Sequence, residues 1–287
     1  MSLDNKTLTM QKSSVKDKNI KKLCENGYIL VILLLLYLPI ILIIIFSFFN
    51  TSAFSFRKGF SFDSYASIFD PNNSAKLTES IKNTIVIAVI SAVIATLLGT
   101  IAAIGIFSMK KRTRRIVENA NQLPIINSEI VVAVSLMLFF VTLRIPEGYM
   151  RLIIGHISFC APYVVLSVMP RLMQMDSNIY EAALDLGANP FRAMCRVIIP
   201  IILPGILSGF VMAFTISLDD FIITQLNKGS TTGIDTLSTY IYSTQHTAGG
   251  LKPYWFAVFS IIIVVMIGVL LLINLRKYRK NIPNKDA

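Results

Sequence analysis

"RLMQMDSNIYEAALDLGANPFRAMCRVIIP", residues 171–200, separates two apolar runs, Leu152 to Pro170 and Ile201 to about Leu226. The segment is too long for a simple turn and too polar to cross a bilayer. Its local signals predict a short helix through Glu181, Ala182 and Ala183 that stops at Gly187. A second helix then starts where Asn189 can cap and Pro190 takes the first helical position. Two short helices meeting at a bend are expected, held between membrane-crossing segments.

The flanking runs are typical of the chain. Of its 287 residues 54% are hydrophobic and only 15% charged, with a mean hydropathy of +0.65. Apolar residues come in blocks, and runs of about 18 or more are long enough to cross a hydrocarbon core of roughly 30 Å as helices. Six spans are expected: Tyr28 to Phe49, Asn83 to Phe107, Leu123 to Leu143, Leu152 to Pro170, Ile201 to about Leu226, and Tyr254 to Leu275. A membrane β-barrel needs alternating strands of about ten residues, and these are absent. The expected class is an all-α integral membrane protein.

Charge orients the spans. Of the 27 Lys and Arg, 19 fall in the N-terminal segment, the loop Lys110–Arg115, the loop from Arg171 to Arg196, and the tail from Arg276. The other eight fall on the opposite side. Positively charged loops stay inside, so both termini of this multi-pass chain are expected in the cytoplasm. The expected organisation is a basic N-terminal segment 1–27, a membrane domain 28–275 and a basic tail 276–287. The net charge of +11 is thereby explained without nucleic acid, whose binding needs a folded basic surface with interleaved aromatics.

The first apolar run exceeds the roughly 7 to 15 residues of a signal-peptide core, so the first span is read as retained. Cys24, Cys160 and Cys195 lie in or beside a reducing compartment and predict no disulfide framework. Ala88, Ala92, Ala95, Gly99 and Ala103 form a small-residue seam that suits close helix packing. Pro162 and Pro204 are expected to bend or start their helices. Between Thr51 and Lys82, Phe54, Phe56, Phe60, Phe62 and Tyr65 suit the outer interface.

The loop that opened the reading carries a resemblance. "EAALDLG" at 181–187, followed after nine residues by "VIIP" at 197–200, resembles the EAA loop of ATP-binding-cassette (ABC) importer permeases. Val197 and Ile199 stand where that family usually has Ile and Leu, and the spacing is intact. The resemblance covers Tyr28 to Arg276 and implies a type I importer permease fold in which this loop couples to a separate ATPase. On that reading Glu181, Ala182, Ala183, Gly187 and Pro200 form the coupling site. No Gly-Lys dipeptide occurs in the chain, so the phosphate-cradling G-x-x-x-x-G-K-[ST] loop is missing. No catalytic residue, metal site or cofactor is expected on this chain; ATP and Mg belong to the partner ATPase.

Three acids fall within expected spans: Glu129 in the third, Asp219 and Asp220 in the fifth. An acid at mid-bilayer costs about 2.5 to 3.5 kcal/mol on insertion scales. Counting from the inner side at roughly 1.5 Å per residue, Asp219 lies about 27 Å along its span and Glu129 about 9 Å along its own. The acids are therefore expected at two levels of a path. On a continuous helix Asp219 and Asp220 point about 100° apart, and Asp219 shares a face with Ser208, Met212 and Thr215. Asp220 is expected either on the path or bonded to a neighbouring helix; alternatively both acids cap or bridge helices near the outer interface, with His156 and Ser158 as candidate partners.

"NSEIVVAVSL" around Glu129, "GHISFCAPYVV" around His156, and "ISLDDFIIT" with "TLSTYIYS" further resemble the second permease of spermidine/putrescine importers. That resemblance implies a polyamine substrate, a homologous first permease, two ATP-binding subunits and an extracytoplasmic binding protein. It also implies a substrate path that includes Asp219, Asp220, Glu129, Thr215 and Ser208. Two alternatives are a permease of the same class for ferric iron or another organic cation, and an ATP-independent secondary transporter or channel. The latter usually carries internal repeats with broken helices in matching positions, and it would leave the Glu181 loop without a purpose.

Overall fold

The computed structural model describes residues 27–49, 59–176, 178–229, 232–248 and 252–280. The expectations for Cys24, Phe54, Phe56, the N-terminal lysines and residues 281–287 lie outside the described residues. The described elements are helical, with one isolated bridge between Phe49 and Phe60. In chain order they are α1 (Gly27–Phe46), α2 (Asp63–Ala66), α3 (Pro71–Phe107), α4 (Lys111–Ile126), α5 (Glu129–Thr142), α6 (Tyr149–Gln174), α7 (Asn178–Asp185), α8 (Pro190–Ala193), α9 (Ile199–Asp219), α10 (Ile222–Asn227), α11 (Leu237–Ala248) and α12 (Pro253–Lys280).

Four described helical runs are long and apolar enough to cross a membrane: α1, α3 from Ser74, α6, and a run Pro190–Asp219 that includes α9. The pair α4 and α5 makes a fifth if counted as one span. The expected sixth span falls on α12, whose apolar helix is described over Pro253–Val265. The chain divides into two compact units, Ser74–His246 and the remainder, Met1–Asn73 with Thr247–Ala287.

In the smaller unit α2 packs on α12. Phe46 meets Phe256 at 6.4 Å between ring centroids, and Trp255 is fully buried. The Tyr65 hydroxyl lies 2.8 Å from Ser47 Oγ and 3.5 Å from Ser260 Oγ. Phe60 stacks on Phe48 at 5.5 Å, and Phe62 meets the same ring edge-on. Of the aromatic residues expected at the interface, Phe60, Phe62 and Tyr65 thus cluster with Phe48.

In the larger unit α6 and α9 pack along each other around a buried core that includes Cys160, Val164, Val168, Ile202 and Ala213. The small-residue seam of α3 packs as expected. Ala88, Ala92, Ala95 and Ala103 are fully buried, and a Cβ on Gly99 would stand 2.7 Å from the Cβ of Val164. Gly209 of α9 approaches the same valine, with its would-be Cβ 3.1 Å from Val164 Cγ1. Two helix backbones thus close on one side chain from two directions, and dispersion over that contact holds the three helices where lipid gives no hydrophobic push.

Two expected spans are broken, each at residues that favour a helix start. The third does not run continuously from Leu123 to Leu143: α4 and α5 are bent by 102°. Asn127 and Ser128 are extended, with ψ of 151° and 134°, and Glu129 occupies the first turn of α5. Ser128 and Glu129 are residues favoured at a helix start, and they interrupt the apolar run there. The fifth span ends at Asp219, because Asp220 turns extended with ψ 133° and a new helix, α10, follows.

The coupling segment differs in one respect. The expected second short helix is not separate: α8 passes through a π turn, Met194–Ile198, directly into α9. Pro200, in the first turn of α9, has no N–H to donate, and the widened turn falls just before it. The helix begun at Pro190 therefore continues as the membrane span.

Candidate functional site

The loop 171–200, the expected coupling site, is shaped by caps at Gly187 and Asn189. Gly187 has φ +84°, a region that favours glycine. The Ala188 N–H donates to the Ala183 carbonyl at 3.1 Å, and the Gly187 N–H to the Leu184 carbonyl at 2.9 Å. These two bonds form a Schellman stop to α7. Asn189 Oδ1 accepts from the Arg192 N–H at 2.8 Å and starts α8. Tyr180 and Met194 pack on the α6/α9 core, so the loop has a rigid base. Glu181 and Ala182 are exposed, Ala183 is half-buried, and Pro200 is exposed at the base of α9. Sequence reasoning missed Leu186 and Phe191, which are 89% and 75% exposed on this loop. Apolar side chains standing out beside a capped helix suit contact with another surface.

The acids gather at the break after α9. Asp220 is buried, and its carboxylate accepts from the Ile223 N–H at 3.1 Å, the Thr224 N–H at 2.9 Å and the Thr224 hydroxyl at 2.7 Å. It therefore caps α10, where a negative charge also meets the positive end of the helix. His156, from α6, is almost fully buried, with Nε2 3.0 Å from Thr224 Oγ1 and 3.4 Å from Asp220 Oδ2. Its Nδ1 lies 2.7 Å from Ser217 Oγ. Because the Thr224 hydroxyl gives its single proton to Asp220, Nε2–H is the donor to Thr224. Ser158 is not a partner: its hydroxyl donates to the Ile154 carbonyl of its own helix.

Glu129 stands beside Asp220, side chain to side chain, with Asp219 also within range of its charge. This corrects the two-level expectation. The expected depth assumes one straight helix from Leu123, whereas α4 turns away at Asn127, so that α5 begins at the level where α9 ends. The Asn227 amide donating to the Ala133 carbonyl at 3.3 Å ties α10 to α5 one turn further on. Glu129, Asp219 and Asp220 thus form one acidic level.

The two neighbouring aspartates have different settings. Asp219 is exposed, and so are Thr215, Met212 and Ser208 on the same face of α9. Thr215 Oγ1 donates to the Val211 carbonyl at 2.8 Å, leaving its oxygen lone pairs outward. Just past the break, Phe221, Ser238, Ile241, Tyr242 and Gln245 line an open hollow of about 310 Å³. Phe221 and Tyr242 are 5.0 Å apart, and Tyr242 and His246 4.4 Å. Chemically, the exposed face of α9 offers a carboxylate and hydroxyls, and the separate hollow offers aromatic faces, groups that suit a cation with an apolar stem.

Comparison with known proteins shows the family. Residues 95–278 match the family described as "Binding-protein-dependent transport system inner membrane component". The spermidine/putrescine transport system permease protein PotC of Haemophilus influenzae is 32% identical over 258 residues, covering 90% of this chain and 97% of that protein. A PotC homolog of Mycoplasma genitalium is 26% identical, covering 91% and 93%. The putrescine transport system permease protein PotI of Escherichia coli is 30% identical, covering 75% and 78%. Among solved structures, a bacterial ABC transporter involved in alginate import has a chain with TM-score 0.68 and 17% identity, covering 91% of this chain and 97% of its own. At that identity the likeness is one of fold. The chain therefore belongs to the family of binding-protein-dependent transport system inner membrane components, the permeases of ABC importers.

Proposed function

We propose that the chain is a permease subunit of an ATP-driven importer of polyamines, spermidine or putrescine. The observation that carries this reading is the end-to-end similarity to PotC, 32% identity with 97% of that protein covered. The exposed Asp219 on a hydroxyl-bearing face supports it, because a polyamine shedding water needs carboxylates for its ammonium groups and apolar walls for its methylene stem. Glu129 and the hydroxyls of Ser208 and Thr215 belong to the same path on this reading, whereas Asp220 serves it by shaping the break.

A homologous first permease completes the path, and an extracytoplasmic binding protein delivers substrate. Two ATP-binding subunits, which hold ATP and Mg, hydrolyse the nucleotide. Both termini and the loop 171–200 face the cytoplasm, as the distribution of Lys and Arg favours. The ATPase grips the loop through Glu181, the small side chains Ala182 and Ala183, and the apolar anchors Leu186 and Phe191. Closure of the ATPase pair moves this loop, and the continuous helix Pro190–Asp219 carries that movement as a lever to Asp219. The span thereby links nucleotide state to access at the acidic level.

The test uses the complete complex in proteoliposomes, with the binding protein present. Spermidine or putrescine should stimulate ATP hydrolysis and accumulate inside. Stimulation by ferric iron or an unrelated organic cation alone would overturn the polyamine assignment, and transport by this chain without an ATPase would overturn the importer reading.

A further inference from the structure

Away from the acids, α4 and the C-terminal ends of α3 and α6 enclose a hollow of about 510 Å³ lined by Phe107, Met109, Lys111, Arg114, Arg115 and Met173, with Glu118 at its edge. Glu118 neutralises one of these cations, Arg114, and leaves Lys111 and Arg115. Its Oε1 is taken at 2.7 Å by Arg114 Nε, and that guanidinium also lies over the Phe107 ring at 5.1 Å. Lys111 and Arg115 are exposed and have no acidic partner among the described residues. A second hollow of about 180 Å³ shares Glu118 and Met173 with the first and continues along α6 past Met169 and Leu166. It runs from the helix end back along the apolar span.

We propose that these two joined hollows form an anionic phospholipid site. The phosphate sits between Lys111 and Arg115, which Glu118 does not pair, and an acyl chain follows Met173, Met169 and Leu166 into the bilayer. The order of the linings favours lipid over a protein partner: cations stand at the helix ends, where headgroups lie, and apolar side chains follow toward the membrane interior. The exposed apolar residues of α4, Ile116 at 66%, Leu123 at 59% and Ile126 at 76%, suit a helix that runs along α6 into the bilayer with one side open to acyl chains. Asn121 of α4 donates to the Pro162 carbonyl of α6 at 3.2 Å, so a lipid held here braces α4 at the bend that leads to Glu129.

The experiment titrates phosphatidylglycerol or phosphatidylcholine into the purified complete complex and counts bound lipids by native mass spectrometry. Wild type should retain phosphatidylglycerol in preference. The double variant Lys111→Gln/Arg115→Gln should bind it roughly thirtyfold more weakly, as about 1 kcal/mol for each cation at a charged membrane surface implies. Leu166→Trp, which fills the tail hollow and leaves the cations in place, should also displace it. Equal retention of the two lipids by wild type, unchanged binding in either variant, or displacement of phosphatidylglycerol by inorganic phosphate alone would overturn the proposal. Loss of the ATPase subunit from the double variant with its lipid retained would assign the cations to a protein partner instead, and would overturn it equally.

Discussion

Asp219 and Asp220 are adjacent in sequence, and replacing each with Asn should separate a path residue from a cap. The Asp220 carboxylate accepts from the Ile223 and Thr224 N–H groups and the Thr224 hydroxyl. An asparagine has one accepting oxygen. With that oxygen in the Oδ2 position it keeps both Thr224 bonds, but its NH2 then faces the Ile223 N–H. One buried donor is orphaned, which costs about 1 to 3 kcal/mol, and the remaining bonds lose the strengthening that charge gives. Asn is itself a good cap residue, so the helix start survives in part. The net loss for Asp220→Asn is about 2 kcal/mol, a large share of a stability of roughly 5 to 15 kcal/mol. Asp219→Asn removes no bond of this kind. Thermal melts of the purified complex should show Asp220→Asn lowered by several degrees and Asp219→Asn unchanged, and uptake per folded complex should fall more for Asp219→Asn. Equal melting of the two variants, or a lower melt for Asp219→Asn, would refute the division of roles.

Three further outcomes follow from the same geometry. Glu129→Gln removes a carboxylate that faces Asp220, so thermal stability should hold or rise while uptake falls; a marked drop in melting temperature would contradict the acidic level. Gly187→Asp should abolish uptake at normal membrane abundance. A Cβ there meets nothing within 4 Å, so only the left-handed backbone resists it, at roughly 1 to 2 kcal/mol; wild-type uptake at equal abundance would sink the coupling role. Gly99→Ala should destabilise the complex by about 1 to 3 kcal/mol through overpacking. Adding Val164→Ala should not rescue it, because the close contact is with the Cβ itself, and a measured rescue would show that α3 yields instead.

What the sequence made legible followed from local chemistry. Gly187 and the Asn189-Pro190 pair specified the bend of the coupling loop, and the structure forms both caps. The seam around Gly99 was readable because small residues three and four apart have few other uses inside a membrane. Span continuity was harder to read, because hydropathy averages over a window and hides a single capping residue. Ser128 with Glu129 and Asp220 with Thr224 carry the same start signals that were readable at Asn189, yet they sit inside apolar runs. Missing the first break displaced Glu129 from its true level. The pairing of His156 with Ser217, Thr224 and Asp220 depends on how α6 meets α9 and α10, and no spacing within one helix encodes that. Leu186 and Phe191 read as ordinary apolar loop residues until their exposure was seen.

The most direct test of the whole account is spermidine-stimulated ATP hydrolysis by the complete complex in proteoliposomes, measured for wild type and for Asp219→Asn. The account predicts strong stimulation in wild type and its loss in the variant, with basal hydrolysis and assembly unchanged. Stimulation that survives in Asp219→Asn would remove that residue from the path, and a wild-type complex indifferent to spermidine and putrescine would contradict the polyamine importer itself.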